Sequence, residues 1–396
     1  MNIVLYDHPA ARQQLLPFTF TRPLGDLRVG ILTIAQKWQQ RLGGSVSFLT
    51  QPYLQAKFSA QFTADNLIIH GSLCPDEKLL ERIRGLQTGE GLYNQQVVLA
   101  YRTSEDELPE VLGKGMTEYT EPLTLIDQPW KIFQHNAEQL RADFDLITRG
   151  RTSHPITDPH TRVYNPGNIF LEKGVEIRAA VLNAEAGPIY LGVNSQVQEG
   201  ALIKGPFSLG EESVINMGGK MRGDTTIGPR CKVGGEISNS VLWGNSNKAH
   251  DGFLGNSVLG EWCNLGADTN TSNLKNNYEP VKLWSYGQAK FVSTGLQFCG
   301  LMMGDHSKCG INTMFNTGTV VGVGANIFGD GYPRNFVPSF AWGGAAGFTT
   351  FALARAFETA ARVMERRKQV LTEADKAVLA SVFEQTAGYR IWEKKS

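Results

Sequence analysis

Eight aliphatic residues recur at a spacing of six without a miss: Leu191, Val197, Ile203, Leu209, Ile215, Met221, Ile227 and Val233. Roughly a quarter of the chain is Leu, Ile, Val or Met, so such a run arises by chance about once in 10⁵ starting frames. Neither the 3.6-residue period of a helix nor the two-residue period of a strand produces it. A parallel β-helix does, because each hexapeptide forms one short flat side and sends one residue into a narrow core. Glycine often follows the aliphatic residue (LGVNSQ, LGEESV, IGPRCK, VGGEIS), as expected where the backbone turns a tight corner.

After Val233 the frame slips by two and resumes at Val241, with Phe253, Leu259 and Leu265 in phase and Asn247 as the exception. A polar excursion over about 270–296 interrupts the repeats, which return at Met303, Cys309, Phe315, Val321 and Ile327. Insertions in solenoids map to loops, and such loops often build a binding face. The pattern places a β-helix domain over 151–345. Before it, apolar runs (NIVLYD, SVSFLT, NLIIHGS, QVVLAYR) alternate with helical patterns (GILTIAQKWQQRL, PDEKLLERIRGL), which predicts an α/β domain over 1–150 with a parallel or mixed sheet. Residues 346–396 read as a helical cap of two helices over the open end of the solenoid, the second starting at the Thr372–Asp375 junction.

Charge is balanced, 38 basic against 38 acidic residues, so no overall field favours nucleic acid or an anionic membrane. An anionic substrate must then be held by a local cluster. No run approaches the roughly 18 apolar residues of a membrane span, and the N-terminus lacks the pattern of a secretory signal. Cys74, Cys231, Cys263, Cys299 and Cys309 show no zinc spacing and read as buried free thiols in a reducing cytosol. A cytoplasmic location is expected.

Asn247, Lys248 and His250 stand just before the excursion, followed by a stretch rich in amides and lysines. An imidazole ordinarily titrates near neutral pH, which suits removal of a proton from a substrate amine or hydroxyl. Most surface histidines do nothing of the kind. The break in the repeats beside this one is what singles it out.

The stretch SNKAHDGFLGNSVLGEWCNLGADTNTSNLKNN is similar to the catalytic coil of hexapeptide-repeat acyltransferases. In particular it resembles the bifunctional family that acetylates glucosamine-1-phosphate and then makes UDP-N-acetylglucosamine. LPFTFTRP, GPIYLG and HSKCGINTMFNTGTVVGVGANIFGDG look like a divergent bacterial branch of it. The resemblance implies a nucleotidyltransferase-like (Rossmann-like) α/β domain followed by a left-handed parallel β-helix and C-terminal helices, assembled as a homotrimer. It matches His250 to the catalytic base, and Arg222, Lys248, Asn264, Asn273 and Lys282 to substrate-binding positions. Gly310, Ile311, Asn312, Phe328 and Gly329 match the backbone that lines acetyl-CoA, the co-substrate. The implied acceptor is a sugar phosphate or nucleotide sugar, and the implied setting is precursor synthesis for the cell envelope. Phe253 and Leu274 stand where that family has tyrosines, and Ser238–Ser240 where it has a lysine.

The first half departs further. Sugar nucleotidyltransferases place a glycine-rich loop after the first strand to cradle a triphosphate. Here NIVLYD runs into DHPAARQQLLPFTFTRP, without a glycine. Arg12, Arg22 and Arg28 are the remaining candidates for phosphate. Mg²⁺ is expected only if this domain is active, with Asp7 and Asp26 the nearby carboxylates, and the acyl-transfer half needs no metal. Three readings follow: a bifunctional enzyme, an acyltransferase with a dead first domain, or a non-enzymatic trimer that serves as scaffold or sensor.

Overall fold

A computed structural model of the chain describes residues 2–106, 108–109 and 113–393. They divide into two compact bodies. The first holds Met1–Leu15, Thr21–Arg28 and Leu32–Gln128, the second Leu16–Phe20, Val29–Ile31 and Pro129–Ser396.

In the first body, β1 (Asn2–Tyr6) lies between β2 (Val46–Leu49) and β3 (Asn66–His70), all three parallel. Val97–Thr103 then pairs antiparallel with β3 and leads out to Gly91–Asn94 and Met116–Glu118. β1 and β3 are buried along their whole length, which is why they read as unbroken apolar runs rather than alternating ones. Helices Ile34–Leu42 and Glu77–Arg84 form where the periodic segments stand. Thr33 caps the first through a reciprocal box with Gln36, and Asp76 caps the second through the Leu79 N–H at 2.9 Å.

The second body is a three-sided parallel β-solenoid. Its first face runs through nine strands from Ile169–Leu171 to Phe336–Val337. The second face runs from Glu176–Ile177 to Ala341–Gly344, and the third from Arg162–Tyr164 to Phe253–Gly255. Leu191, Leu209 and Ile227 stack in register on the first face, Val197, Ile215 and Val233 on the second, and Ile203 and Met221 on the third. All eight hexad residues are at most 2% exposed. Each such burial stabilises the coil by about 1.5–3 kcal/mol.

Beyond Val233, Leu259 and Leu265 point into the core as expected, but at Val241 and Phe253 the frame differs by one residue. Leu242 and Leu254 point inward, in register with Ile227 and Ile237, while Val241 and Phe253 face outward. The reason is a shortened coil: Ile237 takes the next core position only four residues after Val233, and Leu242 follows after five. The later hexads, Met303 to Ile327, do point into the core.

The edge joining the first and second faces is built from left-handed residues. Asn194, Glu212, Arg230, Asn245, Trp262, His306 and Phe340 have φ between 53° and 62°. A ladder of backbone bonds between successive turns, such as Arg230 N–H to Glu211 O at 2.8 Å and His306 N–H to Glu261 O at 2.9 Å, offsets that strain.

Outside the coil, helix Asn136–Thr148 packs on the first face. Asn136 donates to Asp224 O at 2.9 Å and accepts from Thr226 Oγ1 and the Gly30 amide. Phe18 packs on Trp243 at 4.8 Å, and Leu16–Phe20 of the LPFTFTRP segment belong to the solenoid body. Helices Leu353–Glu365 and Glu373–Gln385 follow, the latter capped by Thr372 as its sequence predicts. They lie along the side of the coil rather than across its end. Arg367 donates to Asn247 Oδ1 at 2.8 Å and sits over Trp262, and Phe383 packs on Phe340. Phe348, from the final hairpin, and Trp392 pack against the core instead.

Candidate functional site

The edge between the second and third faces holds His250. Successive turns bend there at Met217–Gly218, Ala249–Gly252, Ala267–Asp268, Ile311–Asn312 and Phe328–Gly329. Asp268 N–H bonds Asp251 O at 3.1 Å, and Asn312 N–H bonds Ala267 O at 2.8 Å. Gly310 N–H reaches Ile327 O at 2.8 Å. His250 therefore shares one edge with Gly310, Ile311, Asn312, Phe328 and Gly329. His250 is exposed. Ile311 and Met217 are each 71% exposed and Phe328 is 43% exposed, so apolar side chains line the edge around the imidazole, with the Asp251 and Asp268 carboxylates exposed on it as well.

Lys248 is not available to a substrate. It occupies a core position opposite Val233 and is only 2% exposed. Its Nζ donates to the carbonyls of His250 and Asp251 at 2.5 and 3.1 Å. Burial pushes its amine down to about 8, against the pull of the Asp251 carboxylate. The lysine thus ties the bend that carries His250 from inside the coil.

Arg222 and Asn273 stand on the third face, which adjoins this edge. Arg222 is in register with Ser238, and Ser238 with Gly255. A side chain on Gly255 would meet Asn273 Nδ2 at 2.6 Å, so the four residues form one column. Arg222 is exposed and pairs with Glu236 at 2.9 Å. Beside this column, Phe253 presents its ring at the outward position next after the His250 bend. Two candidates lie elsewhere. Asn264 is on the second face, where its Oδ1 accepts from Asn247 in a ladder next to Arg367. Lys282 begins the hairpin Lys282–Ser285/Lys290–Ser293 and lines a cavity that includes none of the residues above.

The first body holds Arg12 and Arg22 inward. β1 and β3 end at the point where strand order reverses, the usual place for a ligand in such a sheet. There Asp7 Oδ2 accepts from Arg12 at 3.0 Å and from Thr50, and Oδ1 accepts from the Leu24 amide. Arg12 also donates to Tyr53 and to Arg22 O. Arg22 is buried against Asp26 at 3.0 Å, and half-buried Arg28 pairs with Thr33 through a backbone β-bridge. Beside them His70 stacks on His8 at 5.3 Å, and burial pushes its imidazole down to about 3. Asp7 and Asp26 are each already neutralised by an arginine, so this set does not fit a divalent cation, and Arg12 and Arg22 do not present themselves to phosphate.

Residues 3–152 match the model of the sugar nucleotidyl transferase family. The match covers less than half of the chain. In this region the strand ends are occupied by the internal ion pairs Asp7–Arg12 and Arg22–Asp26. The chain is related to two kinds of curated protein. The uncharacterized acetyltransferase YaiX of Escherichia coli O6:K15:H31 (strain 536 / UPEC) is 35% identical over 153 residues, 38% of this chain and 66% of its own length. The bifunctional protein GlmU of Methanocaldococcus jannaschii is 36% identical over 87 residues, 22% of this chain and 21% of its own. The chain thus spans at most 66% of these relatives. Among solved structures, the polySia-specific acetyltransferase NeuO is 14% identical, with a TM-score of 0.27 over 59% of this chain and 99% of its own. No helix among the described residues is long and apolar enough to cross a membrane.

Proposed function

We propose that this protein transfers an acyl group, acetyl in the simplest case, from coenzyme A to the amine of a sugar phosphate or nucleotide sugar. The observation that carries the reading is the exposed His250 imidazole on the same prism edge as Ile311 and Phe328. His250 takes the proton that the amine loses as its nitrogen bonds to the thioester carbon. The carbon–sulfur bond then breaks, and the proton passes to the departing thiolate. A base so placed contributes roughly 10²–10⁴-fold. The apolar side chains of this edge take the pantetheine arm, and Arg222 swings from Glu236 to the acceptor's phosphate as a charge-assisted partner.

His250→Ala tests the reading by free-thiol release from acetyl-CoA with a panel of amino-sugar phosphates and nucleotide sugars. Loss of turnover with unchanged oligomeric mass supports it. Undiminished turnover removes His250 from the role, and no turnover by the parent with any acceptor favours a scaffold or sensor.

The first domain, in this reading, does not transfer nucleotides. The Asp7–Arg12 and Arg22–Asp26 pairs support that view. Pyrophosphate measured with Mg²⁺, a sugar-1-phosphate and each of four NTPs should stay at background. Release with any one of them makes the protein bifunctional.

A further inference from the structure

A cavity of about 1110 Å³ lies at the far end of the solenoid body, walled by the excursion hairpin, the final hairpin and the C-terminal segment. Its walls are aromatic. Trp284 and Phe336 stack at 4.4 Å with their planes 12° apart, and Tyr389 and Trp392 close the other sides. Its charge has one sign: Lys275, Lys282 and Arg334 line it, and no acidic residue does among those described. Lys282 and Arg334 are exposed and have no salt-bridge partner among the described residues, while Lys275 reaches Glu279 only at 4.0 Å. The Trp284 Nε1–H is shielded from solvent and has no acceptor among the described residues.

The walls are fixed from behind. Buried Arg390 sits over the Phe383 ring at 4.1 Å and bonds Glu393, and Trp392 Nε1 donates to Thr350 at 2.9 Å. A preformed cavity spends little of its binding energy on ordering itself. Flat π-faces beside uncommitted cations suit a ligand that joins a planar heteroaromatic ring to phosphates, through stacking and charge-assisted hydrogen bonds.

We propose that this cavity is a binding site for a nucleoside diphosphate group, separate from the His250 edge. The ring lies against the half-buried aromatic wall that Trp284, Phe336 and Tyr389 form by packing on one another, and the phosphates meet Lys282 and Arg334. Two sources share that chemistry, a nucleotide sugar and the ADP portion of coenzyme A.

Isothermal titration of the whole chain with ADP, UDP, GDP, UDP-sugar and CoA tests the site. One site per chain is expected for ADP, UDP and GDP, which lack the pantetheine arm and the amino sugar that the His250 edge takes. Pyrophosphate alone should bind at least tenfold more weakly than the best nucleotide, because it lacks the ring. Arg334→Glu, on an exposed side chain, should weaken nucleotide binding at least tenfold, and His250→Ala should leave it intact. Preference for CoA or for the nucleotide sugar identifies the source. The assignment is overturned if no nucleotide binds, or if binding survives Arg334→Glu but falls in Ile311→Glu, which would move it to the other edge.

Discussion

Lys248 stands behind His250 as an internal strut: its ammonium occupies a slot that aliphatic residues fill in neighbouring turns, and donates to the His250 carbonyl. A charge in that slot costs stability. The bend it holds is the one that presents the imidazole.

Lys248→Met replaces the strut with a side chain of similar length. Thiol release should fall about tenfold or more in kcat, with KM for acyl-CoA little changed, because the base is misplaced while the groove stays. The pH profile of stability provides an independent readout. The folded amine is held near 8, below its unfolded value, so the unfolded chain binds the extra proton between about pH 8 and 10.5. Stability of the parent relative to Lys248→Met should therefore rise with pH across that window, by about 1–3 kcal/mol. A flat difference in denaturant midpoints from pH 7 to 10.5 contradicts the assignment.

Gly252 closes the same bend with φ of 112°, and a Cβ there would fall 2.2 Å from Thr269 O. Gly252→Ala should cost about 1–3 kcal/mol and cut turnover with it. Gly218→Ala, on the same edge with open space around it, should lower stability less and leave turnover within about twofold. Equal loss of activity in the two variants would mean that the His250 bend has no special role.

Ile311 is 71% exposed beside the proposed acyl-CoA path. Ile311→Glu places a charge there without touching the core. KM for acyl-CoA should rise at least tenfold, with the melting temperature within about 2 °C. Unchanged steady-state kinetics would show that the cofactor runs elsewhere.

Asp7 and Arg12 are both buried, and removing one charge strands the other. Asp7→Asn should destabilise the first domain by about 3–5 kcal/mol, seen in urea unfolding followed by tryptophan fluorescence. A functional carboxylate would behave differently, with little change in stability and loss of a nucleotidyl activity.

The solenoid was legible because its core has room for one side chain per side of each turn, so Leu191 to Val233 had to repeat at six. The break in that repeat singled out His250, and the fold leaves it exposed. The inward frame at Leu242 and Leu254 was not legible, since it depends on how many residues the short coil near Ile237 spends on its corners. A frame started at Leu242 would have put Lys248 in a core slot, where a lysine is so costly that sequence reasoning assigns it to the surface. The arginines of the first domain misled for a related reason: charge and position along the chain say nothing of whether a carboxylate waits within 3 Å. Periodicity follows from local backbone geometry and is written in the order of residues. The partner a charge finds, and the turns that share an edge, come from segments far apart in sequence, so only the folded chain decided them.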